Sequence, residues 1–144
     1  MKIVDVNVLL YAVNRDSEQH ESARAWLDAA LARPEPVGFA WSAVLAFLRI
    51  STHPALFARP LTTEASIATM RSWLSQPSAT VIDPTSRHLD VLAGLLASAG
   101  TAGNLVNDAH LAALAVENAA ELISFDSDFE RFAGLEWSRP PVQG

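Results

Sequence analysis

The hydrophobic positions of this 144-residue chain alternate between short apolar runs and longer amphipathic segments. The short runs are rich in β-branched residues and predict strands at about 2–5, 36–40, 79–83, 121–125 and 135–137. The segments between them carry apolar residues at helical spacing and predict helices at 7–12, 17–32, 42–52, 62–75, 85–98, 104–119 and, shorter, 127–132. Strands that alternate with helices predict an α/β fold, with a mostly parallel central sheet of four to five strands flanked by helices.

The chain shows no internal repeat and no linker, so we expect a single domain over residues 1–144. Half of its residues are hydrophobic, which excludes a disordered chain. No apolar run approaches the roughly 18–20 residues that a membrane span requires. Asp5 and Asn7 also interrupt the apolar start, which is atypical of a secretion signal. We therefore expect a cytoplasmic protein.

Composition removes several kinds of chemistry. The chain has no cysteine, which excludes disulfides, thiolate metal sites and cysteine nucleophiles, and its four histidines do not have the spacing of a zinc site. The net charge of −6 argues against a nucleic-acid partner. However, nine of the ten basic residues are arginine, the side chain best suited to phosphate contacts. Charge alone leaves the partner open.

Three acidic residues stand where the predicted elements meet. Asp5 ends the first predicted strand, Asp126 directly follows "ELISF", and Asp108 lies in the first turn of a helix. A fourth acid, Asp128, lies two residues past Asp126. Each has a local explanation, because Asp5 and Asp126 are good helix caps and Asp108 suits a helix N-terminus. In parallel sheets, however, ligands bind beyond the carboxyl ends of the strands.

Carboxylates that converge at such an edge repel one another, by roughly 4 kcal/mol for a pair about 4 Å apart at an effective dielectric near 20. A cluster of this kind needs protons or a cation, and oxygen ligands favour Mg²⁺ or Mn²⁺. The expected chemistry is metal-assisted phosphodiester hydrolysis.

Four segments carry a resemblance that covers about residues 2–137. The segments are "IVDVNVLLYA", "FLRISTHP", "GNLVNDAHLAALA" and "SFDSDFERFAGLEW". In this order they resemble the PIN-domain ribonucleases, specifically the VapC toxins of bacterial VapBC toxin–antitoxin pairs. The resemblance implies an endoribonuclease that depends on Mg²⁺ or Mn²⁺, forms a homodimer and is held inactive by a VapB antitoxin. Its implied substrate is structured cellular RNA, such as a loop of tRNA or ribosomal RNA.

The same resemblance implies roles for individual residues. Asp5, Asp108 and Asp126 match the metal-binding acids of the family, and Asn7 matches a small polar residue that positions a ligand or water. Asp128 matches an extra acid found in some members, although a surface acid in a helical turn explains it equally well. Apart from the resemblance, Arg15 and Arg59 lie in predicted loops near the strand ends and are candidates for RNA contact, although solvated surface arginines are the default.

One departure from the family concerns the helix predicted at 42–52. Most PIN nucleases carry a further acid there, usually glutamate, whereas this chain has Phe47 and no acid anywhere from residue 36 to 63. Fewer acids weaken the case for a tightly held second metal ion. Trp41 and Phe57 flank the region that receives the antitoxin in VapC-like proteins, so we expect an exposed apolar groove there.

Two other functions remain open at this stage. An aspartate-based phosphatase also places an aspartate after its first strand, but it uses a lysine near the phosphoryl site, and Lys2 lies inside the first predicted strand. A PIN fold that has become catalytically weak and acts by binding RNA or protein is the second alternative. Metal-dependent RNA cleavage would separate both from a nuclease.

Overall fold

The computed structural model describes residues 1–142, in which five short strands form one sheet. In chain order the strands are β1 (Lys2–Val4), β2 (Val37–Ala40), β3 (Ala79–Ile82), β4 (Glu121–Ile123) and β5 (Trp137–Ser138). Every pairing is parallel, and the spatial order is β3–β2–β1–β4–β5. All the strands therefore end at the same edge of the sheet, which we call the carboxyl edge. The predicted α/β fold is confirmed, and the predicted domain end at 144 lies outside the described residues.

Helices cover both faces of this sheet. In chain order they are α1 (Val6–Val13), α2 (His20–Ala32), α3 (Trp41–Ser51), α4 (Thr63–Leu74), α5 (His88–Ala99) and α6 (Val106–Glu117). Short 3₁₀ helices at Gly103–Leu105 and Ser127–Arg131 precede α6 and follow β4. Among residues 1–142, no helix has both the length and the apolar character needed to cross a membrane.

Two hydrophobic layers hold the helices to the sheet. Neighbouring strand residues point to opposite faces, so Val4 and Ile123 pack against α1–α4, whereas Ile3 and Leu122 pack against α5 and α6. All four of these side chains are at most 1% exposed. Each buried side chain of this size contributes roughly 1.5–3 kcal/mol of hydrophobic stabilisation. On the α6 side, buried alanines such as Ala112 let the helix approach the sheet closely. The layers fix how α1 and α6 sit relative to the strand ends.

Several predicted strand boundaries are wrong by one or two residues. The strand predicted at 2–5 ends at Val4, because Asp5 caps α1 and its side chain accepts a hydrogen bond from the Val6 N–H. The strand predicted at 121–125 ends two residues early, since the Ser124 hydroxyl accepts a hydrogen bond from a backbone N–H of the following turn. The edge strand predicted at 135–137 lies at Trp137–Ser138. Because β1 and β4 end earlier than predicted, the polar side chains of Asp5 and Ser124 lie at the carboxyl edge.

Three predicted helix starts also shift. The helices predicted from residues 17, 85 and 104 begin later, as α2, α5 and α6. Ser17 instead forms a turn in which its hydroxyl accepts a hydrogen bond from the Gln19 N–H, and Thr85 does the same for the Arg87 N–H. Thr62 caps α4 by accepting from the Ala65 N–H, so that predicted helix start is confirmed.

Candidate active site

Four aspartates gather at the carboxyl edge from three distant parts of the chain. Asp5 directly follows β1, Asp108 lies in the first turn of α6, and Asp126 and Asp128 lie in the turn after β4. One carboxylate oxygen from each of Asp108, Asp126 and Asp128 lies within 4.8 Å of the other two. We call these three residues the aspartate trio. The first two are partly buried and Asp128 is exposed, so the trio faces solvent on one side.

Asp5 is held by hydrogen bonds on both of its carboxylate oxygens. Its Oδ1 accepts from the Val6 N–H at 2.7 Å, and its Oδ2 accepts from the Ser124 hydroxyl at 2.7 Å and the Asn7 amide at 3.2 Å. The local prediction that Asp5 caps a helix is therefore confirmed. The same contacts fix the rotamer of the Asp5 carboxylate, so its role as a helix cap is compatible with a role in the acidic site.

Asn7 and Ser124 connect the ends of β1 and β4. The Asn7 amide donates to the Ser124 hydroxyl at 3.0 Å, and its Oδ1 accepts from the Phe125 N–H at 3.2 Å. The Ser124 hydroxyl also accepts from the Asp126 N–H at 3.0 Å. Ser124 is fully buried, and its hydroxyl contacts Asp5, Asn7 and the Asp126 backbone. In the sequence, the feature that marks Ser124 as a site residue is its position, one residue past a buried strand and two before an aspartate.

Burial and neighbouring negative charges raise the pKa values of Asp108 and Asp5. Burial raises the pKa of Asp108 to about 6, helped by the negative charges of Asp5, Asp126 and Asp128. Burial is also the main cause that raises the pKa of Asp5, with a smaller contribution from Asp126, against the opposing hydrogen bonds of Ser124 and Val6. Asp5 is therefore electrostatically coupled to the trio. The cluster resists full ionisation in the absence of a neutralising partner.

The donor set fits a hard divalent cation. Closely spaced carboxylate oxygens without sulfur or imidazole ligands are the donors that Mg²⁺ and Mn²⁺ prefer. The mutual repulsion that raises the pKa of Asp108 is the repulsion that such a cation would relieve. A cation held there would meet solvent through the exposed Asp128 side of the trio.

The candidate RNA-contact arginines lie outside this cluster. Arg59 is 83% exposed at its side chain, and its Nε lies 3.2 Å from the Asp16 carboxylate. This pair joins the loop after α3 to the loop after α1, which also contains the exposed Arg15. The structure therefore brings the two predicted arginines onto neighbouring loops, without bringing either into the aspartate trio.

The predicted groove beside α3 is partly wrong. Trp41 is 52% exposed, as a partner-binding residue needs to be, but Phe57 is only 7% exposed and cannot line an open groove. The exposed large apolar side chains on α3 are instead Trp41 and Leu45, which we call the α3 patch. Phe47, the residue expected in place of the usual family glutamate, is fully buried and packs edge-on against Trp73.

Comparison with known proteins agrees with this fold and identifies its family. The family profile described as the PIN domain matches residues 2–135. The chain is 57% identical to Ribonuclease VapC37 of Mycobacterium tuberculosis over 142 residues, which cover 99% of both chains. It is 44% identical to Ribonuclease VapC33 of the same species, over 97% of this chain and 98% of that one. The chain therefore belongs to the PIN-domain family and, within it, to the VapC ribonucleases.

Solved structures share the fold at much lower sequence identity. VapBC2 from Rickettsia felis, bound to a DNA fragment from its promoter, matches with a TM-score of 0.71 and 18% identity, over 96% of this chain and 97% of that one. VapC20 of Mycobacterium tuberculosis, described as a sarcin-ricin loop cleaving toxin, matches with a TM-score of 0.70 and 19% identity, over 97% and 100%. At these identities the likeness shows the shared fold.

Proposed function

We propose that this chain is the toxin of a toxin–antitoxin pair and acts as a divalent-metal-dependent endoribonuclease. The observation that carries the proposal is the convergence of four aspartates, from three distant segments, at the carboxyl edge of a parallel sheet. The names of the relatives as VapC ribonucleases agree with this chemistry. Parallel sheets bind their ligands at the carboxyl edge, so the location of the four aspartates also suits a hydrolytic site.

Mg²⁺ is the proposed cofactor, with Mn²⁺ able to replace it, and Asp5, Asp108 and Asp126 are the proposed ligands. When bound, such a cation lowers the pKa of an attacking water and neutralises charge on the departing oxygen. Asn7 and Ser124 keep the Asp5 carboxylate in one orientation through their hydrogen bonds to Oδ2. Asp128 supplies a further negative charge at the exposed side.

The proposed substrate is structured RNA, such as a loop of tRNA or ribosomal RNA, cut to leave 5′-phosphate and 3′-hydroxyl ends. A structural neighbour described as a sarcin-ricin loop cleaving toxin supports a structured RNA target. Arg15 and Arg59 are proposed to contact phosphates beside the site. Because the chain carries a net charge of −6, RNA docking would rely on these local cations and on the bound metal. Binding should therefore weaken as salt rises.

We further propose that a VapB-type antitoxin neutralises the enzyme and that the toxin forms a homodimer. The α3 patch supports a macromolecular contact, because its two large apolar side chains are each more than half exposed. Trp41 and Leu45 lie four residues apart on α3 and so share one helix face. Exposed apolar clusters of this kind are typical of protein-binding surfaces.

Two observations bear on the alternative functions. Phe47 leaves α3 without an acid, which favours a catalytically weak binding module over a nuclease with two tightly held metal ions. In contrast, an aspartate-based phosphatase is disfavoured by the position of Lys2. Its Nζ lies 3.0 Å from the Glu121 carboxylate at the start of β4, at the opposite edge of the sheet from Asp5.

RNA cleavage with and without metal tests the proposal. Wild-type protein freed of metal by chelation should cut total cellular RNA only after Mg²⁺ or Mn²⁺ is added back. Asp5→Asn and Asp108→Asn should lose this cleavage while keeping their far-UV circular dichroism. Asp28→Asn is the matched control, because Asp28 is an exposed acid on α2 that pairs with the exposed Arg24. RNA binding without cleavage in any metal would contradict the nuclease and favour the binding module.

A further inference from the structure

A second polar cluster lies between α5 and α6, centred on the carboxylate of Glu117. This side chain is only 1% exposed. Its Oε1 accepts hydrogen bonds from the Thr85 N–H at 2.9 Å and the Thr85 hydroxyl at 2.5 Å, and its Oε2 lies 2.5 Å from His88 Nδ1. These contacts keep the Glu117 pKa below its ordinary value, although burial alone would raise it. Glu117 is therefore a fixed anion that accepts a hydrogen bond from the Nδ1–H of His88.

The other nitrogen of His88 faces a second imidazole. His88 Nε2 lies 2.8 Å from His110 Nδ1, and the two rings meet nearly perpendicularly at 79°. Because His88 Nδ1 donates to Glu117, the contact between the rings requires one shared proton, carried by either His88 Nε2 or His110 Nδ1. Removing that proton would leave two nitrogen lone pairs aimed at the same point.

We propose that this histidine pair is a binding site for a borderline transition-metal ion, of the class of Zn²⁺, Ni²⁺ or Cu²⁺. The ion takes the place of the shared proton and binds His88 Nε2 and His110 Nδ1. Glu117 acts as the orienting partner that metal-binding histidines usually have on their second ring nitrogen. Metal–nitrogen bonds of about 2.0–2.1 Å in tetrahedral geometry place the two nitrogens about 3.3 Å apart. The two nitrogens must therefore separate by about 0.5 Å from their present 2.8 Å, and the rings must tilt so that both lone pairs point at the ion.

The chemistry of the donors separates this site from the aspartate trio. Imidazole nitrogens select Zn²⁺, Ni²⁺ and Cu²⁺, whereas carboxylate oxygens select Mg²⁺ and Mn²⁺. Within residues 1–142, the histidine pair gains no third imidazole or carboxylate ligand, so water completes the coordination and the ion remains exchangeable. The His88 side chain is 15% exposed, which gives an ion a route from solvent.

A bound ion would join the start of α5 to α6 at a point two residues after Asp108. His88 is the first residue of α5, and His110 lies in the second turn of α6. A transition-metal ion bound by the histidine pair would therefore hold α6, the helix that carries Asp108, against α5. It would add no ligand to the aspartate trio. This inference goes beyond the proposed nuclease function and does not require RNA cleavage.

The test uses full-length chain in which Asp108, Asp126 and Asp128 are all changed to asparagine, so that the trio no longer binds cations. Titration calorimetry with Zn²⁺ should show one site in this background. Adding His110→Gln should weaken Zn²⁺ binding at least tenfold, and it leaves the contacts between His88 and Glu117 in place. Adding His53→Gln is the matched control and should leave the affinity unchanged, since His53 lies in an exposed turn.

Copper provides an independent readout of the ligands. With Cu²⁺ in the same background, electron paramagnetic resonance should show superhyperfine splitting from two imidazole nitrogens, and this two-nitrogen pattern should be lost with His110→Gln. The proposal is overturned if Zn²⁺ does not bind, or if the His110→Gln protein binds Zn²⁺ as tightly as its parent. In either case the two histidines form a purely structural hydrogen bond. Circular dichroism confirms that each variant is folded.

Discussion

Changing Asp108 to asparagine should stabilise the metal-free protein at neutral pH while removing its proposed activity. The folded protein holds the Asp108 pKa at about 6, against 3.8 for the ordinary carboxyl group, because of burial and the charges of Asp5, Asp126 and Asp128. Between these two pH values the folded state binds more protons at this residue than the unfolded state does. The free energy of unfolding therefore falls as the pH rises through this window.

The pKa shift sets the size of the effect. A difference of about two pKa units corresponds to at most about 3 kcal/mol, at about 1.4 kcal/mol per unit. Asp108 is only partly buried, so screening by solvent and salt reduces this to about 1–2 kcal/mol at pH 7. Asparagine has nearly the same shape but no charge, so its protein should be more stable by this amount above pH 6 and gain little near pH 4.

Chemical denaturation at a series of pH values, with chelator present, measures this difference. The wild type should lose stability between about pH 4 and pH 6 relative to Asp108→Asn. Asp28→Asn, which alters an exposed acid, should follow the wild-type curve. Adding Mg²⁺ at pH 7 should stabilise the wild type more than Asp108→Asn, because the cation binds the native site and relieves its repulsion. A destabilised Asp108→Asn protein at pH 7, or parallel curves, would refute the electrostatic account.

Three further predictions concern Ser124, Phe47 and the pH dependence of cleavage. Ser124→Ala should cost about 1 kcal/mol of stability, because it removes a hydrogen bond to Asp5, and should raise the Mn²⁺ concentration needed for half-maximal RNA cleavage. Ser124→Thr keeps the hydroxyl and should behave more like the wild type. Phe47→Ala should lower the free energy of unfolding by about 3–5 kcal/mol in urea, and Phe47→Glu should be still less stable, because the new charge would be buried. At limiting Mg²⁺, the cleavage rate should fall as the pH drops below about 6, since Asp108 becomes protonated; a rate independent of pH there would oppose a metal-binding role for this residue.

The strand–helix alternation was enough to predict the fold and the edge at which the acids meet. Parallel strands share one carboxyl edge, so residues that follow different strands converge without any knowledge of side-chain packing. Asp5 and Asp126 could be assigned to that edge from sequence because each directly follows a buried apolar run. Asp128 was ambiguous in the sequence, and its position in the trio depends on the turn after β4.

Contacts between side chains far apart in sequence could not be predicted in the same way. Asn7 and Ser124 are 117 residues apart, and their hydrogen bond depends on how β1 and β4 are aligned. The link from His88 to His110 depends on the rotation of α5 and α6 about their axes, which hydrophobic periodicity gives only coarsely. The burial of Phe57 likewise depends on the path of a loop that has no repeating pattern.

The most direct test of the central claim is a Mn²⁺ titration in which metal binding and RNA cleavage are followed on the same sample. If the aspartates at the carboxyl edge form the catalytic metal site, cleavage should rise with the fraction of protein that has bound Mn²⁺. Both signals should be lost together in Asp108→Asn and retained in Asp28→Asn. Cleavage that persists in Asp108→Asn, or Mn²⁺ binding that is unchanged by this substitution, would contradict the account.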